Sequence, residues 1–433
     1  MIDRRRAWAV TGAVLGWSAA QTPGALPRTT LLSAVVATAL ALVGMLVGLL
    51  AARASGGSHT PDSDAPASRA AASRAAASRL PLIIVSAVGA GSLALSCWWQ
   101  AGLRAAMGMP PIGPAWLAAT VVIPAAAVAA LLWMPLRRTV IAAAAGGLIV
   151  LGGPAVPAQA AAPDVPDSPL LHYAQLDGRD DATRAAGLVA DWGRTGGLDR
   201  EAVVIAVPTG SGWVDGAAVE GARLRFGGSV RVLAMQYNAV PSWQAYLRSP
   251  DRAGESATTL LAEVSRAVRS VAPDRRPQVY LYGQSLGATG AEAARDWAVI
   301  RRIELAGTVL AGLPGGRDAT RVPHRTVLNN ASDPVAALTP SLLWRPPPAH
   351  SGAGQSGERH SGAGYSSAGH PSPQPPWIPG LSLLATVVDL AGSLDVPSGY
   401  GHRYGAEQGL ELGTDPSTDG PSSQPSTGPR AAS

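Results

Sequence analysis

Val279-Tyr280-Leu281-Tyr282-Gly283-Gln284-Ser285-Leu286-Gly287-Ala288 is a run of β-forming residues that drives into Gly-x-Ser-x-Gly, and the small, helix-compatible stretch Ala288 to Trp297 follows. A strand, a sharp turn and a helix in that order place the serine on a strained corner, its hydroxyl exposed at the C-terminal end of a sheet. The flanking glycines are required because side chains there would collide with the neighbouring strand and helix. A serine hydroxyl is a weak nucleophile by itself, so the motif gains meaning only with a base and an acid that orients it. In a chain with 50 glycines the pentapeptide is a weak signal, and its strand–helix context carries the weight.

Outward from this turn the pattern alternates. Ala202 to Val207 is a compact apolar run, as expected of a parallel strand buried on both faces, and the loop Pro208-Thr-Gly-Ser-Gly-Trp213 follows it. Val230 to Gln236 reads as a second strand and Arg252 to Val271 as a long amphipathic helix. The helix after the serine runs to about Ile300, and strands follow at Leu305 to Leu310 and Thr326 to Asn329. Strands separated by helices imply βαβ units and a mostly parallel sheet, with the strand C-termini along the edge where ligands bind.

Partners for Ser285 are sought along that edge in the chain order serine, acid, histidine. The loop Asn329-Asn-Ala-Ser-Asp333-Pro334 delivers an aspartate just past a strand, with a proline that favours a turn. Ser398-Gly-Tyr-Gly-His402-Arg-Tyr-Gly405 presents a histidine in a glycine- and tyrosine-rich loop, whereas His324 precedes the acid and breaks the order. His402 is then the base, Asp333 the group that holds its tautomer, and the Leu286 amide one oxyanion donor. The second donor is expected from the loop after the Ala202 strand, with Thr209 and Gly210 as candidates within Thr209 to Gly212.

The N-terminal third has a different solvent. Thr29 to Ala52, Leu80 to Leu103, Gly113 to Pro135 and Thr139 to Ala155 are nearly uncharged and close to the about 20 residues that cross a hydrocarbon core. Ala7 to Ala20 is a shorter candidate that brings the expected number to five spans, a helical transmembrane bundle over residues 1–161. All of the 34 basic residues are arginines. Nine of them (Arg4, Arg5, Arg6, Arg53, Arg69, Arg74, Arg79, Arg137, Arg138) fall on one side of a five-span arrangement, against Arg28 and Arg104 on the other. This positive-inside bias makes the 53–79 loop cytoplasmic and everything after Pro157 extracytoplasmic, in a multi-pass protein of the plasma membrane. The spans carry almost no ionisable groups, which argues against a transporter or channel. The small-residue run Ala155-Val-Pro-Ala-Gln-Ala-Ala-Ala162 also resembles a signal-peptidase site, at which proteolysis would release the outer domain.

Residues 346–376 and 413–433 are rich in Gly, Ser and Pro and read as a disordered insert and tail around a second domain at 164–412. His350, His360 and His370 lie in the insert at a spacing too wide for a local metal site, and the lone Cys97 excludes a disulfide or a cysteine zinc cage. No metal or cofactor is expected. The arginines form no basic helix interleaved with aromatics, so no nucleic-acid partner is expected either.

Five blocks carry a family resemblance: Pro208-Thr-Gly-Ser-Gly-Trp-Val-Asp215, Ala234-Met-Gln-Tyr-Asn-Ala-Val-Pro-Ser-Trp243, Gly283-Gln-Ser-Leu-Gly287, Ala331-Ser-Asp-Pro334 and Gly401-His-Arg-Tyr404. With them the chain resembles the actinobacterial membrane-anchored α/β-hydrolase family, in which a multi-span region precedes a serine-hydrolase-like domain. The resemblance implies an α/β-hydrolase fold for the second domain. It departs from the family between Gly312 and Thr326, which is short, and in the insert before Trp377, segments that build pocket walls in such folds. The leading expectation is a serine hydrolase or acyltransferase acting on acyl esters, with lipid or lipid-linked substrates suggested by the bilayer as partner. The alternative is a catalytically silent binding or scaffold domain, which predicts a buried Ser285 or no base within its reach.

Overall fold

The computed structural model describes residues 4–54, 67–133, 166–316, 323–347, 365–366 and 370–413. The chain forms two compact units, and its path alternates between them. One comprises residues 1–157, 331–349 and 370–403, and the other residues 158–330, 350–369 and 404–433.

The second unit is built on a seven-stranded, wholly parallel sheet in the order β1-β3-β2-β4-β5-β6-β7. Its strands are β1 (Leu171–Ala174), β2 (Ala202–Val207), β3 (Val230–Met235), β4 (Gln278–Gln284), β5 (Gly307–Ala311), β6 (Arg325–Leu328) and β7 (Tyr365–Ser366). The apolar run expected to be a doubly buried strand is β2, buried at every position. Alternate residues of the strands feed two cores. Val203, Ile205, Leu233, Leu281 and Leu310 join one. Ala202, Val204, Val232, Tyr280 and Val309 join the other. Helices Asp181–Arg194, Arg252–Arg269 and Leu286–Arg301 cover the first face, and Gly216–Arg225 with Phe226 covers the second. Burial on both faces is why these strands read as continuous apolar runs.

β2 leads toward β3 on one side, while its other neighbour β4 leads to β5 on the opposite side. The connections therefore diverge from the C-terminal ends of β2 and β4, the switch point at which open parallel sheets present a crevice.

Among the described residues, the first unit contains four helices from the N-terminal region: α1 (Arg4–Ala20), α2 (Thr30–Ala54), α3 (Ala67–Ala106) and α4 (Pro114–Leu132). Among the described residues, three segments are long and apolar enough to cross a membrane: Thr30–Ala54, Ile83–Ala106 and Pro114–Leu132. This corrects the expected five. α1 has 17 residues and opens on arginines, so it falls short of that length, and Thr139 to Ala155 lies outside the described residues.

α1 and α2 pack antiparallel through glycines. A Cβ on Gly12 would collide with the Gly44 carbonyl, one on Gly44 with the Gly12 carbonyl, one on Gly16 with the Leu40 carbonyl, and one on Gly48 with the Trp8 carbonyl. Both helices carry Gly-x-x-x-Gly on the facing side, the spacing that brings two backbones together where lipid supplies no hydrophobic drive. Gly44→Leu is expected to separate α1 from α2, because the obstruction is backbone and cannot rotate away. Disulfide trapping between cysteines placed at Ala13 and Met45, which share the buried α1–α2 seam, in a C97A background would report it, with crosslinking lost in the Gly44 variant.

The same unit contains α5 (Pro334–Ala337) and α6 (Leu381–Ala391). Val388 of α6 packs with Ala20 of α1 and Val36 and Ala37 of α2. Asp389, buried on α6, accepts a hydrogen bond from the Ala25 amide at 2.6 Å. Arg28, also buried, donates to the carbonyls of Ala20 and Thr22. Burial pushes the Asp389 carboxyl up to about 6, opposed by the Arg28 charge and the Ala25 and Leu26 amides. Between about pH 4 and about pH 6 the folded protein therefore keeps a proton that the unfolded chain has released. Stability contributed by this group falls as pH rises through that window, on the order of 3 kcal/mol, and is flat above it. Asp389→Asn removes that slope, so the difference in unfolding temperature between the variant and the wild type in detergent micelles should change from pH 4 to 6 and then level off.

Candidate active site

In the second unit, β4 delivers Ser285 at the start of a helix spanning Leu286–Arg301. Ser285 has φ 58° and ψ −125°, a conformation that a non-glycine residue adopts at a cost of about 1–3 kcal/mol. Its backbone N–H is held by the Ala311 carbonyl at 2.9 Å, and the residue remains partly exposed. The flanking glycines behave as the motif demands. A Cβ at Gly283 would collide with the Gly287 carbonyl, and one at Gly287 with the Val207 carbonyl at the end of β2. The corner is thus wedged against the start of the Pro208–Trp213 loop, at the switch point of the sheet. Leu286 is the first helical residue and precedes the first bond of the turn, from the Ala288 amide to the Ser285 carbonyl at 3.0 Å. An amide in that position points out of the helix end toward the crevice.

The loop after β2 narrows the expected second oxyanion donor. The Thr209 amide donates to the Trp213 carbonyl at 3.0 Å, closing the loop, and the Gly212 amide donates to the Thr209 carbonyl at 2.9 Å. The Thr209 amide is therefore spent on the turn, which corrects its candidacy and leaves Gly210. Gly210 lies against the helix Ser242–Arg248, where a Cβ would come within 2.7 Å of the Ser242 Cα.

Beneath the corner runs a buried polar chain. Asp215 caps the helix Gly216–Arg225 by accepting from the Ala217 amide at 2.9 Å. Its other oxygen accepts from Gln408 at 2.8 Å, and the Gln408 side-chain oxygen accepts from the Tyr282 hydroxyl at 2.6 Å. Burial, together with the Asp215 and Glu407 charges, holds the Tyr282 phenol well above its ordinary value. A neutral phenol is the donor this chain needs. The network ties the short helix Glu407–Leu410 to the strand that carries the serine. An aspartate directly before a run of small helical residues was its only signal in the sequence.

In the first unit, Asp333 and His402 meet. The His402 Nδ1 and an Asp333 carboxylate oxygen are 2.8 Å apart, and both residues are buried. The second Asp333 oxygen accepts from the Val335 amide at 2.8 Å, so the same carboxylate caps α5. Proline after the aspartate occupies the first helical position, where it needs no N–H partner. The histidine loop is clamped on both sides. The Gly401 amide donates to the Ser332 hydroxyl at 2.9 Å, and the His402 amide to the Ser393 carbonyl at 2.9 Å. Ser332 and Ser393 are positioning residues that the sequence did not single out. With Nδ1–H given to the carboxylate, the proton-accepting nitrogen of His402 is Nε2. Among the described residues no group of His, Cys, Asp or Glu is arranged to hold a metal ion.

Where the chain leaves the second unit after Asn330 and returns at Tyr404, that unit ties the two ends together. The Asn330 amide donates to the Tyr404 hydroxyl at 3.3 Å.

The alpha/beta-hydrolase family's sequence model matches residues 172–322 and 315–412, and the model of an alpha/beta-hydrolase family N-terminus matches residues 21–162. No curated protein and no solved structure matches the chain. The matches take in the parallel sheet with its serine corner and the apolar helices alike, and together they cover most of the sequence. The chain belongs to the alpha/beta-hydrolase family, in the branch that carries this N-terminal region.

Proposed function

We propose that the protein is a membrane-anchored serine hydrolase or acyltransferase that cleaves acyl esters through Ser285, His402 and Asp333. The observation that carries this reading is the strained Ser285 corner, a non-glycine residue at φ 58° between a central strand and a helix. Strain of that kind persists where it serves exposure of a nucleophile. His402 Nε2 takes the Ser285 proton as Oγ bonds to the acyl carbon, and the Asp333 carboxylate stabilises the imidazolium that forms. The amides of Leu286 and Gly210 receive the developing oxyanion. When the ester C–O bond breaks, His402 returns the proton to the leaving oxygen. Water or a bound alcohol then attacks the acyl-enzyme by the same route, which decides between hydrolysis and transfer.

The anchor is the group of apolar helices α2, α3 and α4. α1 runs beside α2 as far as Trp8 opposite Gly48, which brings the N-terminal arginines toward the level of Arg53. On the opposite side, the loops 21–29 and 107–113 meet the His402 segment of the same unit. The Tyr400 hydroxyl donates to the Ala106 carbonyl at 2.9 Å, and α6 receives the Ala25 amide. Arginine on one side and the histidine segment on the other support an extracytoplasmic active site, a placement that requires the chain to cross back after α4, as the apolar stretch Thr139 to Ala155 is long enough to do. Fluorophosphonate labelling of the membrane-embedded protein tests the proposal. Labelling at Ser285 that disappears in H402A is expected, and a folded wild type that takes up no label would refute it.

A further inference from the structure

α6 is a short apolar helix, Leu-Ser-Leu-Leu-Ala-Thr-Val-Val-Asp-Leu-Ala, and it is far from fully covered. One face is accounted for. Val388 packs on Val36 and Ala37, which lie six and seven residues into α2, about 10 Å along its axis at 1.5 Å per residue. The only charge on the helix, Asp389, is turned to the Gly24–Arg28 loop and buried there. The other face is apolar and open. Val387 is 49% exposed and Leu394, just past the helix, 59%. Leu343 and Trp344 extend this surface at 45% and 60%, on a turn tied to the same segment by the Gly380 amide to the Leu343 carbonyl at 3.2 Å and by Trp377 Nε1 to the Leu342 carbonyl at 3.0 Å.

An apolar face of this kind, with charge only at its margin in Arg345 and Asp395, would invite aggregation in water. Here it adjoins the start of α2, where Gly392 lies against the Leu32 side chain and Leu31 and Val35 are also exposed to the surroundings of the membrane helix. The packing depth on α2 matches that of a helix lying in a bilayer interface, whose apolar side sinks about 5–10 Å below the headgroups. Exposed Trp344 beside that face suits the headgroup boundary.

We infer that α6, with Leu343, Trp344 and Leu394, is an interfacial element embedded in the outer leaflet, so that the occupant of its open face is the acyl region of membrane lipid. His402 is hydrogen-bonded to Ser393, two residues past α6, and so belongs to a loop moored at the lipid surface. If the esterase reading above holds, on which this corollary rests, acyl esters at headgroup depth are the substrates presented to that base.

The embedding is tested without reference to catalysis. In a C97A background, V387C and L394C are labelled with an environment-sensitive fluorophore in proteoliposomes, beside D274C on an exposed turn of the second unit. Nitroxide lipids labelled near the headgroup end of the chain should quench the first two, and iodide should quench them at least about fivefold less than D274C. Iodide quenching equal to that of D274C, with none from the nitroxide lipid, would overturn the inference. Shielding from both quenchers would overturn it too, since protein would then cover the face. Either result leaves the fluorophosphonate test of Ser285 standing on its own.

Discussion

Ser285→Ala is expected to lower acyl-ester turnover by about 10⁴- to 10⁶-fold, the loss seen when the nucleophile of a serine–histidine–acid unit is removed. The fold should survive. The bond that holds this corner runs from the Ser285 backbone N–H to the Ala311 carbonyl and does not involve the side chain. Alanine has the same Cβ as serine, so the strain at φ 58° is unchanged. Ser285→Gly supplies the contrast. Glycine adopts that conformation freely, so this variant should be equally inactive yet more stable by about 1–3 kcal/mol. Unfolding midpoints of the three proteins in detergent, read beside turnover of a chromogenic ester, check both halves. Turnover in S285A within tenfold of wild type would remove Ser285 from the chemistry, and the corner would then be a structural turn.

Much of the sheet unit was legible because its residues answer to local rules. Ala202–Val207 is buried at every position and reads as an unbroken apolar run. Gly283 and Gly287 are where they are because carbonyls occupy the space a Cβ would need. β1 was missed, since Leu171-His-Tyr-Ala174 is four residues long, half-buried throughout, and has a polar residue at its second position. The Asp333–His402 contact was expected from chain order, but its surroundings were not. Residues 331–349 and 370–403 group with the N-terminal helices, although the sequence reads continuously from 164 to 412. That grouping rests on long-range pairs such as Asp389 with the Ala25 amide and Tyr400 with the Ala106 carbonyl. No periodicity reports such pairs. A single aspartate in an otherwise apolar helix was the available hint, because a buried acid implies a donor or cation somewhere else in the chain.

Asp333→Asn is expected to cost about 10⁴-fold in turnover, and it does so by reversing a proton rather than by removing a contact. Asp333 has two duties on its two oxygens. One accepts from the Val335 amide and caps α5, and the other faces His402 Nδ1 at 2.8 Å. An asparagine keeps the cap, since its amide oxygen is as good an N-cap acceptor as a carboxylate. That fixes its NH₂ toward Nδ1, which must then accept. The imidazole proton is driven to Nε2, and the nitrogen that should take the serine proton no longer has a lone pair to offer. Asp333→Ala would also release the Val335 amide and weaken α5 by about 1 kcal/mol, so it confounds stability with chemistry. The asparagine variant separates them: an unchanged melting temperature with a loss of about four orders of magnitude identifies an orienting carboxylate. Nitrogen-15 chemical shifts of the His402 ring should exchange between the two positions in the same variant. Turnover within tenfold of wild type would mean that capping α5 is the whole role of Asp333.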